Sequence, residues 1–409
     1  MGFDSSHRRD AEDAEITQSR IYFSLRLLRV LCVSAVSLLL SLHTPAAGAS
    51  NTDRAGLVAA ARMAGDYLVR MQLEDGSFHY YYDPVEDRTS RRVYNIVRHA
   101  GTVYSLFELY VATRQSTYLE AARRGALYLK TRFRPAREEG AVYVIDNDGK
   151  AKLGAVGLAL LALARQVEID PGSADRESAN KLAKMILIMQ RADGSFISYY
   201  PVRGGEPAGS VSLYYPGEAI LGLMHLFRTN GDRRLLDAAR RAADHLVESQ
   251  RKLNRLPSDA WLMQALEALH SAGRKQKIDS QKYADHALRL AERMIADQYT
   301  ATVPAGYAGG FGPGPPRATP AAARAEGLLA AYRIARSIDD PRAARIATSL
   351  RAAARFQLSQ QFTADNGHGL RNPARALGGF RASPASKRIR IDYVQHNISS
   401  LIGMAYTLY

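Results

Sequence analysis

Cysteine is almost absent from this chain of 409 residues, which contains one cysteine and one tryptophan. The single cysteine, Cys32, lies in an apolar run from Val30 to Leu42 near the N-terminus. If this run belongs to a removable segment, the remaining chain has no cysteine. Disulfide bonds, zinc sites built from thiolates and a cysteine nucleophile are then excluded.

Long hydrophobic stretches are also missing. The run from Val30 to Leu42 is shorter than the about 20 residues that a membrane-spanning helix requires. Arg26 and Arg29 precede it, and Ala47-Gly48-Ala49 follows it as a small-x-small cleavage site. The pattern predicts a signal peptide over residues 1–49, which would make the protein periplasmic or secreted. The alternative is that this segment is not cleaved and remains as an N-terminal anchor. In that case we expect the protein to contact a membrane through this segment only.

Acidic residues are the minority, because 55 lysines and arginines stand against 40 aspartates and glutamates, for a net charge of +15. Such a charge aids solubility, attracts a protein to an anionic envelope, and favours the approach of a polyanionic substrate. The sequence shows no basic-aromatic motif of nucleic-acid type. We therefore expect an anionic polysaccharide as the partner and no nucleic acid.

A convincing set of metal ligands is lacking as well, so neither a metal nor another cofactor is expected. Asp146-Asn147-Asp148-Gly149 resembles the start of a calcium loop but lacks the rest of that pattern, and it predicts a turn. Lys152 lies just beyond this turn, where it could line the edge of a binding site.

Sustained alternation of apolar and polar residues is not evident, whereas apolar residues recur with helical spacing almost throughout. The pattern predicts one all-α domain over residues 50–409 with short strands at most around 141–145 and 196–200. The twelve predicted helices cover 53–71, 96–113, 115–132, 152–166, 173–190, 216–229, 231–249, 257–272, 279–296, 319–337, 340–361 and 391–408.

An internal repeat organises these helices. The segment from Met71 to Phe78 (MQLEDGSF) recurs from Met189 to Phe196 (MQRADGSF), and fainter Gly-Gly-Phe echoes occur at 309–311 and 378–380. A unit of about four helices thus appears three times, which gives six helix pairs. Six pairs close into an (α/α)6 toroid, in which even-numbered helices would be inner and odd-numbered helices outer.

The repeat resembles motifs of two groups of toroids. Gln-x-x-Asp-Gly-Ser-Phe looks like the glutamine-aromatic motif of terpenoid cyclases and prenyltransferases. It is also similar to the Gly-Gly-aromatic turns of carbohydrate-active toroids, which include glycoside hydrolases, polysaccharide lyases and glucuronyl C5-epimerases. The acidic Asp-x-Asp-Asp motif of the cyclases and the zinc ligands of the prenyltransferases are absent. The resemblance therefore implies an (α/α)6 toroid that acts on carbohydrate.

Polar and aromatic residues cluster at the start of every second predicted helix. In a ring, the starts of the inner helices meet at one mouth, where free N–H groups and the helix dipoles favour an anion. We expect a pocket there. The candidates for catalysis are Tyr94, His99, Glu218, Asp259, Asp392 and His396. The candidates for substrate binding are Asn95, Arg98, Lys152, Tyr215, Trp261, Arg324, Glu326, Tyr393 and Gln395.

Several of these candidates have specific chemical arguments. Arg98 and His99 oppose the dipole of the helix that they begin, which disfavours a purely structural role, and Arg98 could grip a carboxylate with two hydrogen bonds. His99 or Tyr94 could move a proton. Glu218 lies on an otherwise nearly uncharged helix, so we expect it to face the cavity. Trp261 offers an aromatic face to a sugar ring.

Structural alternatives also remain open. Asn95 and Asp259 could simply cap their helices, and Glu218 could be a first-turn acid that the helix dipole stabilises. Arg324 and Glu326 could form a surface pair, and the polar residues at 392–396 could form a satisfied core network.

Three reactions suit such a set of side chains. Hydrolysis of a glycosidic bond needs a pair of carboxylates, for which Glu218 with Asp259 or Asp392 are candidates. β-Elimination from a uronic acid needs its carboxylate neutralised, for example by Arg98, and C5-epimerisation needs proton carriers on opposite faces of the sugar. We predict an exported enzyme that acts on an acidic or envelope polysaccharide, most simply a glycoside hydrolase. A polysaccharide lyase or uronyl epimerase is the alternative, and a non-catalytic glycan-binding scaffold is the third.

Overall fold

The computed structural model of the protein describes residues 52–409 apart from 92, 203–211, 277, 301–303 and 305. Residues Thr52–Tyr409 form one compact unit. The predicted signal peptide, its cleavage site and Cys32 lie outside the described residues. Within the described part of the chain, no helix combines the length and apolar character needed to cross a membrane.

Twelve long helices dominate the described residues, as the apolar spacing predicts. The helices are α1 (Arg54–Arg70), α2 (Ile96–Thr113), α3 (Ser116–Lys130), α4 (Leu153–Ile169), α5 (Asp175–Ile188), α6 (Tyr215–Asn230), α7 (Arg233–Arg251), α8 (Ala260–Gln276), α9 (Gln281–Ala296), α10 (Ala318–Ser337), α11 (Arg342–Gln360), the single-turn α12 (Pro373–Ala376) and α13 (Ile391–Thr407). Helix α8 begins three residues later than predicted, because the Asp259 carboxylate accepts a hydrogen bond from the Leu262 amide and caps the helix there.

Six of these helices form a closed inner ring, in which α2, α4, α6, α8, α10 and α13 each pack against the next, and α13 packs back on α2. The other long helices cover the ring from outside, which confirms the predicted (α/α)6 toroid and its alternation of inner and outer helices. Glycines let the inner helices approach closely. A Cβ added to Gly157 would lie 2.8 Å from the Ala219 amide nitrogen, and one on Gly217 would lie 2.5 Å from that of Leu262.

Short strands lie in the linkers that run from an outer helix to the next inner helix. The strand β1 (Tyr81–Asp83) pairs with β2 (Arg88–Ser90) and with the late strand β7 (Ile389–Arg390), which ties the first and last parts of the toroid together. Two further antiparallel pairs join β3 (Phe133–Pro135) to β4 (Val142–Val144) and β5 (Ala151–Lys152) to β6 (Tyr199–Tyr200). Strands β4 and β6 lie where the sequence allowed short strands.

The glutamine of the Gln-x-x-Asp-Gly-Ser-Phe repeat links neighbouring outer helices by hydrogen bonds. At the end of α1, Gln72 Nε2 donates to the carbonyl oxygens of Gly76 at 3.2 Å and of Ala121 in α3 at 2.9 Å. Gln190, Gln298 and Gln361 make equivalent paired bonds at the ends of α5, α9 and α11. Each loop contains a glycine with φ between +83° and +87° that packs against a helix backbone, at Gly76, Gly194, Gly309 and Gly378. The repeat therefore has a structural role, and its residues do not line the cavity at the starts of the inner helices.

Candidate active site

A cavity of about 400 Å³ opens where the inner helices begin, as expected from the clustering of polar residues. We call it the mouth cavity. Nine of the fifteen predicted site residues line it, namely Asn95, Arg98, Tyr215, Glu218, Trp261, Arg324, Asp392, Gln395 and His396. The predicted set of site residues omitted Ser212, Tyr214, Ser258 and Thr319 of the lining, which also stand at helix starts. That position in the sequence is the signal that could have identified them.

Glu218 is a nearly fully buried carboxyl group in the wall of this cavity. Its Oε2 packs so closely on α4 that a Cβ on Gly154 would lie 2.3 Å from it, and this oxygen has no hydrogen-bond partner within the described residues. Burial and, next, the charge of Asp259 raise the pKa of Glu218 to about 8, against the opposing effects of His396 and Arg98. At neutral pH Glu218 is therefore mainly protonated and able to donate a proton.

Asp259 lies behind the wall of the cavity and is fully buried. One oxygen caps α8 by accepting a bond of 3.0 Å from the Leu262 amide, while Oδ2 has no partner among the described residues. Burial raises the pKa of Asp259 to about 7, although the amides of Leu262 and Trp261 lower it. The charge of Asp259 raises the pKa of Glu218, but Asp259 does not line the space that a substrate in the cavity would occupy.

His396 projects from α13 and is held from below by Glu326. Its Nδ1 lies 3.0 Å from Glu326 Oε2, whereas Nε2 has no partner within the described residues and belongs to a ring that lines the cavity. Burial disfavours the charged imidazole, but Glu326 and then Asp392 and Glu218 outweigh burial and raise the pKa of His396. The Trp261 ring meets the imidazole edge-on at 5.9 Å.

Glu218 and His396 stand on opposite sides of the inner ring. Their helices, α6 and α13, are three places apart in a ring of six. Both side chains line the same cavity, and each shifts the pKa of the other. The structure thus places two titratable side chains across one cavity.

Glu326 does not line the mouth, which corrects its expected role as a substrate ligand. It lines a second cavity of about 340 Å³ formed with residues from the later turns of the inner helices, such as Arg333 and Tyr406. The predicted surface pair with Arg324 is not formed, because the two side chains diverge. Glu326 acts on the mouth through His396.

Asp392 is neutralised by arginines. Its Oδ2 accepts bonds from Arg98 Nε at 3.2 Å, Arg390 Nη2 at 2.8 Å and Thr319 Oγ1 at 3.2 Å, and Arg390 Nε also bonds Oδ1. Burial alone would raise the pKa of Asp392, but Arg390 and Arg98 outweigh it and lower that pKa. An ionised, fully bonded carboxylate is a poor acid or base, so the expected catalytic role is replaced by one in positioning Arg98.

Arg98 donates hydrogen bonds to two side chains of the protein itself. This corrects the expectation that it binds a substrate carboxylate with two hydrogen bonds. Besides Asp392, it donates from Nη1 to the Tyr80 hydroxyl at 2.9 Å. Arg390, which stacks over the Tyr393 ring at 4.6 Å, completes this group. Tyr80 and Arg390 were not among the predicted site residues, because their contacts depend on strands β1 and β7 meeting.

Besides Asp259 and Glu326, four predicted site residues lie outside the mouth cavity, namely Tyr94, His99, Lys152 and Tyr393. His99 is fully buried between Tyr94, whose hydroxyl is 2.7 Å from Nδ1, and the Gly125 carbonyl in α3, 2.9 Å from Nε2. Burial lowers the pKa of His99 to about 4, so it is neutral and structural rather than a proton carrier. Lys152 is paired with Asp146 at 2.6 Å, and Tyr393 stacks under Arg390 as described above.

Gln395 and Asn95 line the cavity but also have structural partners. Gln395 Oε1 accepts from Thr102 Oγ1 at 2.7 Å, and Asn95 caps α2 by accepting from the Arg98 amide at 3.1 Å. Across the described part of the chain, no group of three or more histidines, cysteines or acidic residues is placed to hold a metal ion.

Comparison with solved structures identifies the same architecture in sugar enzymes. A cellobiose 2-epimerase from Bacillus thermoamylovorans has a TM-score of 0.63 at 12% identity, over 85% of this chain and 98% of that one. A D-mannose isomerase has a TM-score of 0.61 at 13% identity, over 87% and 99%. An inactive variant of a Salegentibacter α-1,6-mannanase in complex with α-1,6-mannotriose has a TM-score of 0.59 at 11% identity, over 86% and 99%.

No protein-family model and no curated protein sequence matches the chain. At these low identities the structural likeness establishes the shared (α/α)6 toroid. The resemblance to carbohydrate-active toroids is confirmed at the level of fold, while the resemblance to terpenoid cyclases gains no support from these neighbours.

Proposed function

We propose that this protein is a carbohydrate-active enzyme that performs acid–base catalysis on a sugar bound in the mouth cavity. The observation that carries the proposal is the opposition of Glu218 and His396 across the cavity. Catalysis by positioned acids and bases requires groups with pKa values near the working pH, and the raised pKa of Glu218 meets this condition. The aromatic side chains of Trp261 and Tyr215 offer surfaces for a sugar ring.

Epimerisation or isomerisation of a sugar fits this geometry best. In such a reaction a base removes a proton from the carbon beside a carbonyl or carboxylate, and the electron pair enters an enolate. In epimerisation a proton is then returned to the same carbon from its other face, and in isomerisation it is returned to the neighbouring carbon, with no net oxidation in either case. The ionised form of Glu218, which is the minor form at neutral pH, would take the first proton, and the His396 imidazolium would stabilise the enolate and supply the second.

Glycoside hydrolysis is the second candidate. The similarity to an α-1,6-mannanase fold and the electrostatic coupling of Glu218 to Asp259 favour it. Protonated Glu218 would protonate the leaving oxygen. A hydrolase of the usual kind also needs a second, ionised carboxylate at the cavity. Because Asp392 is held by arginines and Asp259 lies behind the wall, this requirement is met less well.

The substrate we propose is an anionic polysaccharide or one of its fragments. The charge of +15 supports this choice, as do the N-terminal ends of the inner helices around the mouth. Export by cleavage after Ala49 is part of the proposal, because an envelope polysaccharide would be met outside the cytoplasm.

The test is an assay of the purified protein on neutral and uronic-acid oligosaccharides with three readouts. These are deuterium uptake at sugar carbons in heavy water, release of reducing ends, and ultraviolet absorbance of unsaturated products. Deuterium uptake that is lost in Glu218→Gln and His396→Gln but kept in Glu108→Gln, a carboxylate of the second cavity, would support epimerisation. Reducing ends without exchange would establish hydrolysis instead, and unsaturated products would establish elimination. Binding of an oligosaccharide without any of these three signals would indicate a non-catalytic glycan-binding scaffold.

A further inference from the structure

We infer that Arg324 is the residue that binds the negative group of the substrate, and that this group is a carboxylate, as in a uronic acid. The inference rests on the proposed function, because it names the substrate class of the same cavity. It replaces Arg98, which the sequence had suggested for this task.

Arg324 lies in the second turn of α10 and lines the mouth cavity. Its guanidinium stands 5.6 Å from the centre of the Phe311 ring, which holds it in place. Within the described residues it forms no ion pair with a carboxylate. Burial lowers the pKa of Arg324, although Asp297 and Tyr214 oppose the shift, so the charge is partly desolvated.

The other cations at this mouth already have acidic partners. Arg98 is bonded to Asp392, and the imidazole of His396 is bonded to Glu326. Because half-buried charges are costly without a partner, the exception at Arg324 points to a partner that arrives with the substrate.

The backbone around Arg324 favours the same kind of ligand. Thr319 and Pro320, in the first turn of α10, also line the cavity, so the positive end of this helix faces the site. The helix dipole and the guanidinium both favour an anion in this part of the cavity. A planar carboxylate suits arginine because the guanidinium can bind it with two parallel hydrogen bonds.

The negative group would also assist the proposed chemistry. In a uronate, the carboxylate is attached to the carbon whose proton is removed, and a cation beside it stabilises the enolate that forms. Arg324 would therefore contribute to binding and, less strongly, to the rate of proton removal. The neutral sugar with a hydroxymethyl group in place of the carboxylate would lack both effects.

The experiment measures binding by calorimetry of a uronic-acid oligosaccharide and of its carboxyl-reduced, neutral counterpart. We expect Arg324→Gln to weaken binding of the uronate by about 10- to 100-fold and to leave the neutral sugar nearly unchanged. Arg324→Lys keeps the charge without the planar fork and should retain part of the preference. Arg333→Gln is the matched control, because Arg333 is on the same helix but lines the second cavity.

Equal loss for both sugars, or no loss for the uronate, would overturn the inference. Arg324-dependent binding of a sulfated sugar without binding of the uronate would overturn the choice of carboxylate. Binding does not require turnover, so the two proposals can fail separately. An Arg324-dependent preference for uronates in a protein that exchanges no protons would refute the proposed reaction alone, while turnover of neutral sugars that is insensitive to Arg324 would refute the inference alone.

Discussion

Glu218→Gln is expected to stabilise the protein while it abolishes activity. The amide of glutamine has the shape of the protonated carboxyl but never ionises. Glu218 is nearly fully buried, and its Oε2 has no hydrogen-bond partner within the described residues. Ionisation in the folded state is therefore the main cost of having a glutamate there.

The size of the effect follows from linkage between protonation and folding. The pKa of Glu218 rises from 4.5 to about 8 on folding, so the folded protein retains the proton over a range of pH in which the unfolded chain loses it. The contribution of Glu218 to stability is complete below the unfolded pKa and is lost as the pH rises through the folded one. Relative to wild type, the gain for Glu218→Gln should be about 1 kcal/mol near pH 5, about 3 kcal/mol near pH 7 and about 5 kcal/mol well above pH 8.

Urea unfolding of both proteins across this pH range measures the effect. Glu120→Gln is the control, because Glu120 is exposed on α3 and its replacement should give a small change at every pH. A gain for Glu218→Gln that does not depend on pH, or a loss of stability near neutral pH, would refute the reasoning about burial. Retained activity in that variant would remove Glu218 from the mechanism.

Two further predictions concern the histidine and the glycine loops. Glu326→Gln should lower the pKa of His396, because the partner that raises it is removed, and an NMR titration of the imidazole should then show proton loss at lower pH than in wild type. An unmoved titration would mean that Glu326 does not set the charge of His396. Gly378→Ala should destabilise the protein by more than about 2 kcal/mol, because φ is +84° and the new Cβ would lie 1.9 Å from the Met63 carbonyl oxygen. Gly369→Ala is the control, because φ is +78° there and nothing lies within 4 Å of the new Cβ, so this variant measures the cost of the backbone conformation alone. An equal loss of stability in the two variants would rule out a contribution from the contact with Met63.

The glutamine repeat shows how a correct fold prediction can rest on a motif with a different role from that of the site. Its periodicity indicated helix pairs, and the structure confirms the toroid. The glutamines themselves bond outer helices to each other, as Gln72 does with Ala121, and they do not line the mouth cavity. The motif is therefore evidence for architecture, and it carries little information about chemistry.

The location of the site was also predictable, because six inner helices with one orientation must begin at the same end of the ring. Which side chains line the cavity was harder to predict. Arg324 and Glu326 are two residues apart, yet one faces the mouth and the other the second cavity. Successive residues on a helix turn by roughly 100°, so a cluster in sequence is divided among different surfaces.

By itself, the sequence determined the helices, their alternation between inner and outer positions, and the end of the ring at which polar groups gather. These follow from apolar spacing and helix direction, which are local properties of the chain. Only the tertiary structure decided which of the polar groups are paired and which have shifted pKa values. The pairs His396–Glu326 and Arg98–Asp392 join residues far apart in the chain, and the raised pKa of Glu218 comes from burial against α4. Ring closure creates these contacts and removes water from them, and it is this loss of water that turns an ordinary glutamate into a candidate acid.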